Sequence, residues 1–182
     1  MSDLINQDFG KAMIQSEVKN RIETLTVLLR DARHIVIFTG AGISTESGLR
    51  DFRGPDGIWT RREKGFEAES LDFTDKEPNS GHQAIYHLQQ IGKLGFLISQ
   101  NVDNLHLKSG INPDLLAEIH GNITKLRCLR CDFLMDNHDD MNNCPLCQGD
   151  LVSSVVDFGQ ELPPRELEMA YQHSFKCDLF LA

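Results

Sequence analysis

The sequence has no long apolar run. Nothing in its 182 residues approaches the roughly 20 consecutive apolar residues that a membrane span needs, so no membrane association is expected. It has no basic excess either. The net charge is −9 and the pI about 5.2. That balance argues against direct nucleic-acid binding, whose footprint is basic, and is compatible with a lysine-rich partner. The first residues, MSDLINQDFGKAM, lack the basic and apolar regions of a secretory signal. An intracellular protein is expected, cytoplasmic or, in a eukaryote, nuclear. Internal repeats and low-complexity segments are missing too. Cysteines number five. Four of them form two Cys-x-x-Cys pairs, and without a secretion signal that pattern favours a metal over disulfides.

What is present is ordinary globular composition, 40% apolar and 25% charged. A chain of this length buries one core and a small satellite module. Residues 17–32 carry Ile22, Leu25, Leu28, Leu29 and Ala32 at helical spacing. HIVIFT (34–39) reads as a buried parallel strand. Residues 80–93 predict a helix with Ala84, Ile85, Leu88 and Ile91 on one face, capped by Asn79 or Ser80. FLIS (96–99) predicts a second strand, 113–122 a further short element, and 151–158 another strand. Residues 163–173 predict a helix opened by prolines, and 177–182 begin a last strand.

This alternation predicts an α/β fold, a Rossmann-like open parallel sheet with helices on both faces. The expected domains are a first part over 1–126, a zinc-ribbon module over 127–150 and a return to the Rossmann-like domain over 151–182. Ending inside an apolar strand is unusual for a domain. A fragment or truncated form, lacking the last strands of the sheet, is the expectation.

The cysteines follow the pattern Cys128-x2-Cys131-x12-Cys144-x2-Cys147. Two such turns converge four sulfurs on one tetrahedral point and fill the shell, so a metal there is structural, with zinc expected. The alternatives are an iron–sulfur centre, two redox pairs, or buried thiols. Cys177 lies outside the pattern and reads as a packed free thiol.

FTGAGISTESGLRDFRGPDGIW (38–59) opens like a dinucleotide loop, but the third glycine of that fingerprint is replaced by Thr45. Gly40, Ala41 and Gly42 permit close approach of the backbone to a pyrophosphate. The alternative is a plain strand-to-helix turn. No acidic residue ends a second strand about 20 residues on, which disfavours a hydride-transfer dehydrogenase. SQNVDNLH (99–106) places Gln100, Asn101 and Asp103 after a strand, where open α/β sheets bind ligands. They serve equally well as a helix cap and turn. His120, in EIHGN, is the one histidine of seven at the end of an apolar element and before a glycine. With an unperturbed pKa of about 6.5 it suits a general base, although a lone histidine is more often structural.

Taken in order, GAGISTESGLRDFRGPDGIW, SQNVDNLH, EIHGN, the four cysteines and VVDFGQELP resemble the sirtuin family, the NAD-dependent protein-lysine deacylases, over about residues 20–182. The resemblance implies removal of acyl groups, such as acetyl, from protein lysine, with NAD consumed as co-substrate. Nicotinamide and acyl-ADP-ribose are the other products, and the partner is an acyl-lysine protein or peptide. It implies His120 as catalytic base, with Asn101 and Asp103 also catalytic. Gln100, Asn101 and Asp103 would hold the nicotinamide ribose and carboxamide, and Gly40, Ala41 and Gly42 would face the pyrophosphate. Asp51, Phe52 and Arg53 would belong to a mobile cofactor loop. Substrate peptide would meet His120 and add a strand to Val156, Asp157 and Phe158. The zinc would hold its module and do no chemistry.

The family usually has proline at Arg50, glycine at Asn104 and glutamate at Gln160. It also continues after CDLFLA with a ribose-binding turn and further strands over the adenosine half of NAD. Weak or absent NAD binding by residues 1–182 alone is therefore expected. The competing readings are mono-ADP-ribosyl transfer from the same site and a non-enzymatic zinc-stapled binding module.

Overall fold

The computed structural model describes residues 2–67, 72–137, 141–157 and 159–182, with side chains from Gln15 onward. Strand β1 (Ile35–Thr39) is the centre of the main sheet. Strand β2 (Leu94–Ser99) runs parallel to it, pairing Thr39 with Ser99. Strand β3 (Leu116–Glu118) follows on the far side of β2, again parallel. The strand at Leu179–Leu181 pairs with β1 in parallel on its other side. All four strands therefore point the same way, and the loops leaving β1, β2 and β3 emerge at one edge.

Strand alternation sorts the core into two layers. Ile35, Ile37, Leu94, Leu97 and Leu116 face one side with Ala32, Ile85 and Ile111. Val36, Phe96, Ile98 and Ala117 face the other with Ile119 and Ala170. The first layer is covered by the helix Ser80–Gln90 and the second by the helix Pro164–Lys176. Helices lie on both faces, as the sequence predicts. Asn79 is the cap of the first of these helices. Its side chain accepts from the Gly81 and His82 amides, and the His82 ring accepts from the Asn79 amide.

The sequence pattern leaves two features open, and the structure settles them. The first helix runs from Ser2 to Asp31, but its apolar stripe is not buried among the described residues. Ile22, Leu25 and Leu28 are exposed; only Leu29 and Ala32 reach the core. Spacing identified the helix but not which of its turns meet the sheet. Residues 151–158 do not return to the main sheet. Leu151–Ser153 forms strand β6 of a second, antiparallel sheet with β4 (Lys125–Cys128) and β5 (Leu134–Asp136), in the order β5-β4-β6. Apolar character predicts a strand but does not choose its partner.

The two phenylalanines Phe96 and Phe175 separate burial from mere hydrophobicity. Phe96 is fully enclosed and stacks on His173 at 4.0 Å, nearly coplanar. Phe175 is 89% exposed. Phe96→Ala should cost about 3–5 kcal/mol in urea denaturation, and Phe175→Ala less than about 0.5 kcal/mol.

Candidate active site and cysteine centre

The loop after β1 leaves through Gly40, whose backbone is extended. A Cβ there would lie 3.3 Å from the Gln100 side-chain Nε2, a tight contact that the flexible side chain can relieve. Residues Ala41–Ser47 form a 3-10 turn rather than an α-helix, closed by Gly48 in the left-handed region at φ 82°. That turn explains the missing third glycine: no long helix packs against the strand at Thr45. Around Gly42 the space is open, with nothing within 4 Å of where a Cβ would sit. The Ile43 amide is spent on the Gly40 carbonyl.

The 3-10 turn delivers Ser44, a residue that the sequence reading did not single out. Ser44 is 1% exposed, and its hydroxyl donates to Asp103 Oδ2 at 2.6 Å. Asn101 Nδ2 donates to the same hydroxyl at 3.1 Å. Asp103 Oδ1 accepts from the amide of Leu105, the first residue of the short helix Leu105–Lys108. The two expected polar residues of the β2 loop are thus joined to the glycine loop by one buried hydroxyl. The available signal was its place, two residues after the second glycine.

His120 stands at the end of β3, half-buried. Its Nδ1 lies 2.9 Å from the Gln100 carbonyl oxygen. A carbonyl only accepts, so Nδ1 carries the proton and Nε2 keeps its lone pair. The His120 carbonyl accepts from the Val156 amide at 2.9 Å. Gln100 therefore meets His120 through its backbone carbonyl.

Behind this layer lie two further histidines that sequence reasoning missed. His82 and His106 are buried, with ring centroids 4.9 Å apart. His106 Nε2 contacts the Thr39 hydroxyl at 2.9 Å. Burial, then the His82 neighbour, pushes His106 down to about 3. Burial also lowers His82, against a pull upward from Asp103. Both rings are neutral at pH 7, which keeps the floor of the site free of positive charge.

The segment 51–59 is folded on itself. Asp51 Oδ1 accepts from the Gly54 amide at 2.9 Å, and the Ile58 and Trp59 amides donate to the Asp51 and Phe52 carbonyls. Phe52 packs on Trp59 at 5.2 Å, and the Arg53 guanidinium lies 4.4 Å over the same indole. Asp51 organises its own loop here. Val156 spends its amide on His120, and Asp157 donates to Gln160 Oε1 at 3.0 Å. Phe158, expected to meet the substrate, lies outside the described residues.

The four cysteine sulfurs lie within 4.8 Å of one another. The close contacts run across the two turns, Cys128 to Cys147 at 3.4 Å and Cys131 to Cys144 at 3.7 Å. A tetrahedral zinc with bonds of about 2.3 Å sets sulfurs about 3.8 Å apart, so the cluster fits that ion. Gly149 permits the approach: a Cβ there would sit 3.1 Å from Cys128 Sγ and 3.3 Å from Cys147 Sγ. Cys177 is partly buried against the second core layer, its thiol directed to the Ser174 carbonyl.

This geometry can be set beside known proteins. The profile of the Sir2 family matches residues 64–182. The chain belongs to the Sir2 family. It is 42% identical to the rice NAD-dependent protein deacetylase SRT1 over 174 residues, which is 88% of this chain and 36% of that protein. It is 37% identical to NAD-dependent protein deacetylase 1 of Bradyrhizobium diazoefficiens, over 93% of this chain and 77% of that one. The solved structure of a Sir2–p53 peptide–NAD+ complex superposes with a TM-score of 0.64 and 28% identity, over 87% of this chain and 73% of that one. This Sir2 chain thus spans about a third of the rice relative and about three quarters of the bacterial one.

Two outcomes follow from the site. Removing metal with a strong chelator should speed amide exchange in β4 and β6 and leave β1 and β2 protected, and native mass spectrometry should find about one zinc per chain. The second concerns acid. A histidine held below its unfolded pKa stabilises the fold fully above about pH 6.5, and that stability is lost as pH falls towards the folded value, here about 3. The urea midpoint should fall between pH 7 and pH 5, and His106→Asn should flatten that fall, measured by fluorescence at both pH values.

Proposed function

We propose that the protein is a NAD-dependent protein-lysine deacetylase acting on acyl-lysine peptides. The observation that carries this reading is the His120 tautomer. Its Nδ1–H is committed to the Gln100 carbonyl, which leaves Nε2 as a base, and Gln100 opens the same β2 loop that carries the Asn101–Ser44–Asp103 cluster. The names of the rice and bacterial relatives support the same reaction.

NAD, when bound, supplies an activated glycosidic carbon from which nicotinamide departs, and its ribose accepts the acyl group. The chain's own residues do the rest. Gly40, Ala41 and Gly42 offer a side-chain-poor surface for a pyrophosphate. Asn101 and Asp103, fixed through Ser44, present oriented polar atoms to the nicotinamide end with little reorganisation. His120 Nε2 takes a proton from a ribose hydroxyl. The neutral His82–His106 pair adds no charge that would repel a cationic centre. The loop of Phe52, which packs on Trp59, would close over the cofactor and exclude water. Val156, whose amide is bonded to the His120 carbonyl, and Asp157 after it would meet the peptide through groups other than these committed amides. The cysteine site holds the module through Cys128, Cys131, Cys144 and Cys147 and takes no part in the chemistry.

The test incubates the whole protein, rather than residues 1–182 alone, with an acetyl-lysine peptide and NAD and follows both by mass spectrometry. Loss of the acetyl mass with equimolar nicotinamide, and a fall in kcat of about 10²–10⁴-fold in His120→Ala, is the expected result. Acetyl loss without NAD, or an unaffected His120→Ala, would overturn the reading. Gain of ADP-ribose mass by the protein substrate would point to ADP-ribosyl transfer.

A further inference from the structure

Asn122 is 1% exposed and makes every hydrogen bond its side chain is able to make. Nδ2 donates to Glu118 Oε1 at 2.6 Å and to Asn104 Oδ1 at 2.9 Å. Oδ1 accepts from the Thr124 amide and the Thr124 hydroxyl, both at 2.8 Å. The Thr124 amide only donates, which fixes the orientation of the carboxamide. The backbone is engaged as well. The Asn122 amide donates to Ser154 Oγ at 3.0 Å, and that hydroxyl donates back to the Asn122 carbonyl at 2.8 Å.

These partners come from different parts of the chain. Glu118 ends β3, Asn104 belongs to the β2 loop at φ 65°, Thr124 opens the path into the cysteine module, and Ser154 is where the chain leaves it. His120 lies on the short arc between Glu118 and Asn122, which is closed also by a bond from the Gly121 amide to the Glu118 carbonyl. Gly121 has no room to move: a Cβ on it would sit 1.9 Å from the Ser154 carbonyl oxygen.

We propose that Asn122 is a positioning residue: its carboxamide is the joint through which the β2 loop and the cysteine module together fix the place of His120. The proposal rests on the deacetylase reading for its kinetic consequence. Its structural content, that Asn122 sets the His120 ring, stands apart from any activity. Only an amide serves here, because one end must donate twice and the other accept twice. An aspartate of the same shape accepts at both ends and sets a second carboxyl against Glu118.

That second carboxyl gives the proposal a signature. Burial already raises Glu118, while Lys125 of β4 at 3.4 Å and the Asn122 amide lower it. Glu166 of the helix Pro164–Lys176 accepts from the Glu118 amide and raises it further; Arg165 and Asp132 act on Glu166 in opposite senses. In Asn122→Asp the paired carboxyls repel most at high pH. As pH falls one of them takes a proton and regains a donor. The defect is therefore largest in alkali and relieved in acid. Asn122 itself does not titrate.

Two measurements test this. In steady-state kinetics with an acetyl-lysine peptide, Asn122→Ala should lower kcat by about 10–100-fold with KM for NAD within about twofold. Asn122→Asp should recover towards wild type as pH is lowered from 9 to 6. A folded Asn122→Ala with unchanged kcat, or an Asn122→Asp deficit independent of pH, would overturn the proposal. In NMR, the His120 Nδ1–H resonance of the wild type, assigned by its loss in His120→Asn, should vanish or shift in Asn122→Ala. An unmoved resonance overturns the proposal whether or not the protein consumes NAD. A whole wild-type protein that keeps the resonance and consumes no NAD overturns the deacetylase reading and leaves the positioning role supported.

Discussion

The site depends on one buried hydrogen bond, from the Ser44 hydroxyl to the Asp103 carboxylate at 2.6 Å, across 59 positions of sequence. Parallel strands bring the loops after β1 and β2 to the same edge of the sheet, but adjacency does not align side chains. The Ser44 hydroxyl does so by donating to Asp103 while accepting from Asn101. Both loops then behave as one rigid wall. The 3-10 geometry of Ala41–Ser47 is a requirement of this bond, because it turns Ser44 inward directly after the glycines. The open space around Gly42 and the buried polar wall are two results of the same turn.

The second support comes from outside the main sheet. The chain leaves β3 at His120, enters the cysteine module at Lys125 and returns at Ser154. His120 is therefore held from both sides, by the Gln100 carbonyl through its ring and by the Val156 amide through its backbone. The cysteines take no part in that contact. They close the far end of the small sheet, so that its near end presents Thr124 and Ser154 at fixed positions.

Much of this was legible beforehand. HIVIFT and the run ending at Ser99 carry the apolar, β-branched texture of buried parallel strands, and the structure pairs them. The double Cys-x-x-Cys spacing converges in space as its geometry demands. Asn101 and Asp103 were visible from their place after a strand. Ser44, His82, His106 and Asn122 were not, because each has at least one partner that only the fold brings near, Asp103, His106, Thr39 and Ser154 respectively. A serine in a turn and a histidine on a helix are common, and only tertiary contact distinguishes them. The helix Ser2–Asp31 shows the opposite failure. Its periodicity was plain, yet Ile22, Leu25 and Leu28 are exposed, since amphipathic spacing does not say what the stripe meets. Leu151 likewise reads as a strand, and the pattern does not say that its partner is β4.

The most direct test of the shared wall is a double-mutant cycle on Ser44→Ala and Asp103→Asn, read as nicotinamide release from NAD. Groups that act as one unit lose most of their effect when either is removed. The two single variants should each be impaired, and the double variant should be little worse than the weaker single, a coupling of about 1 kcal/mol or more. Effects that simply add would contradict the account, because they would mean that the two loops contribute independently.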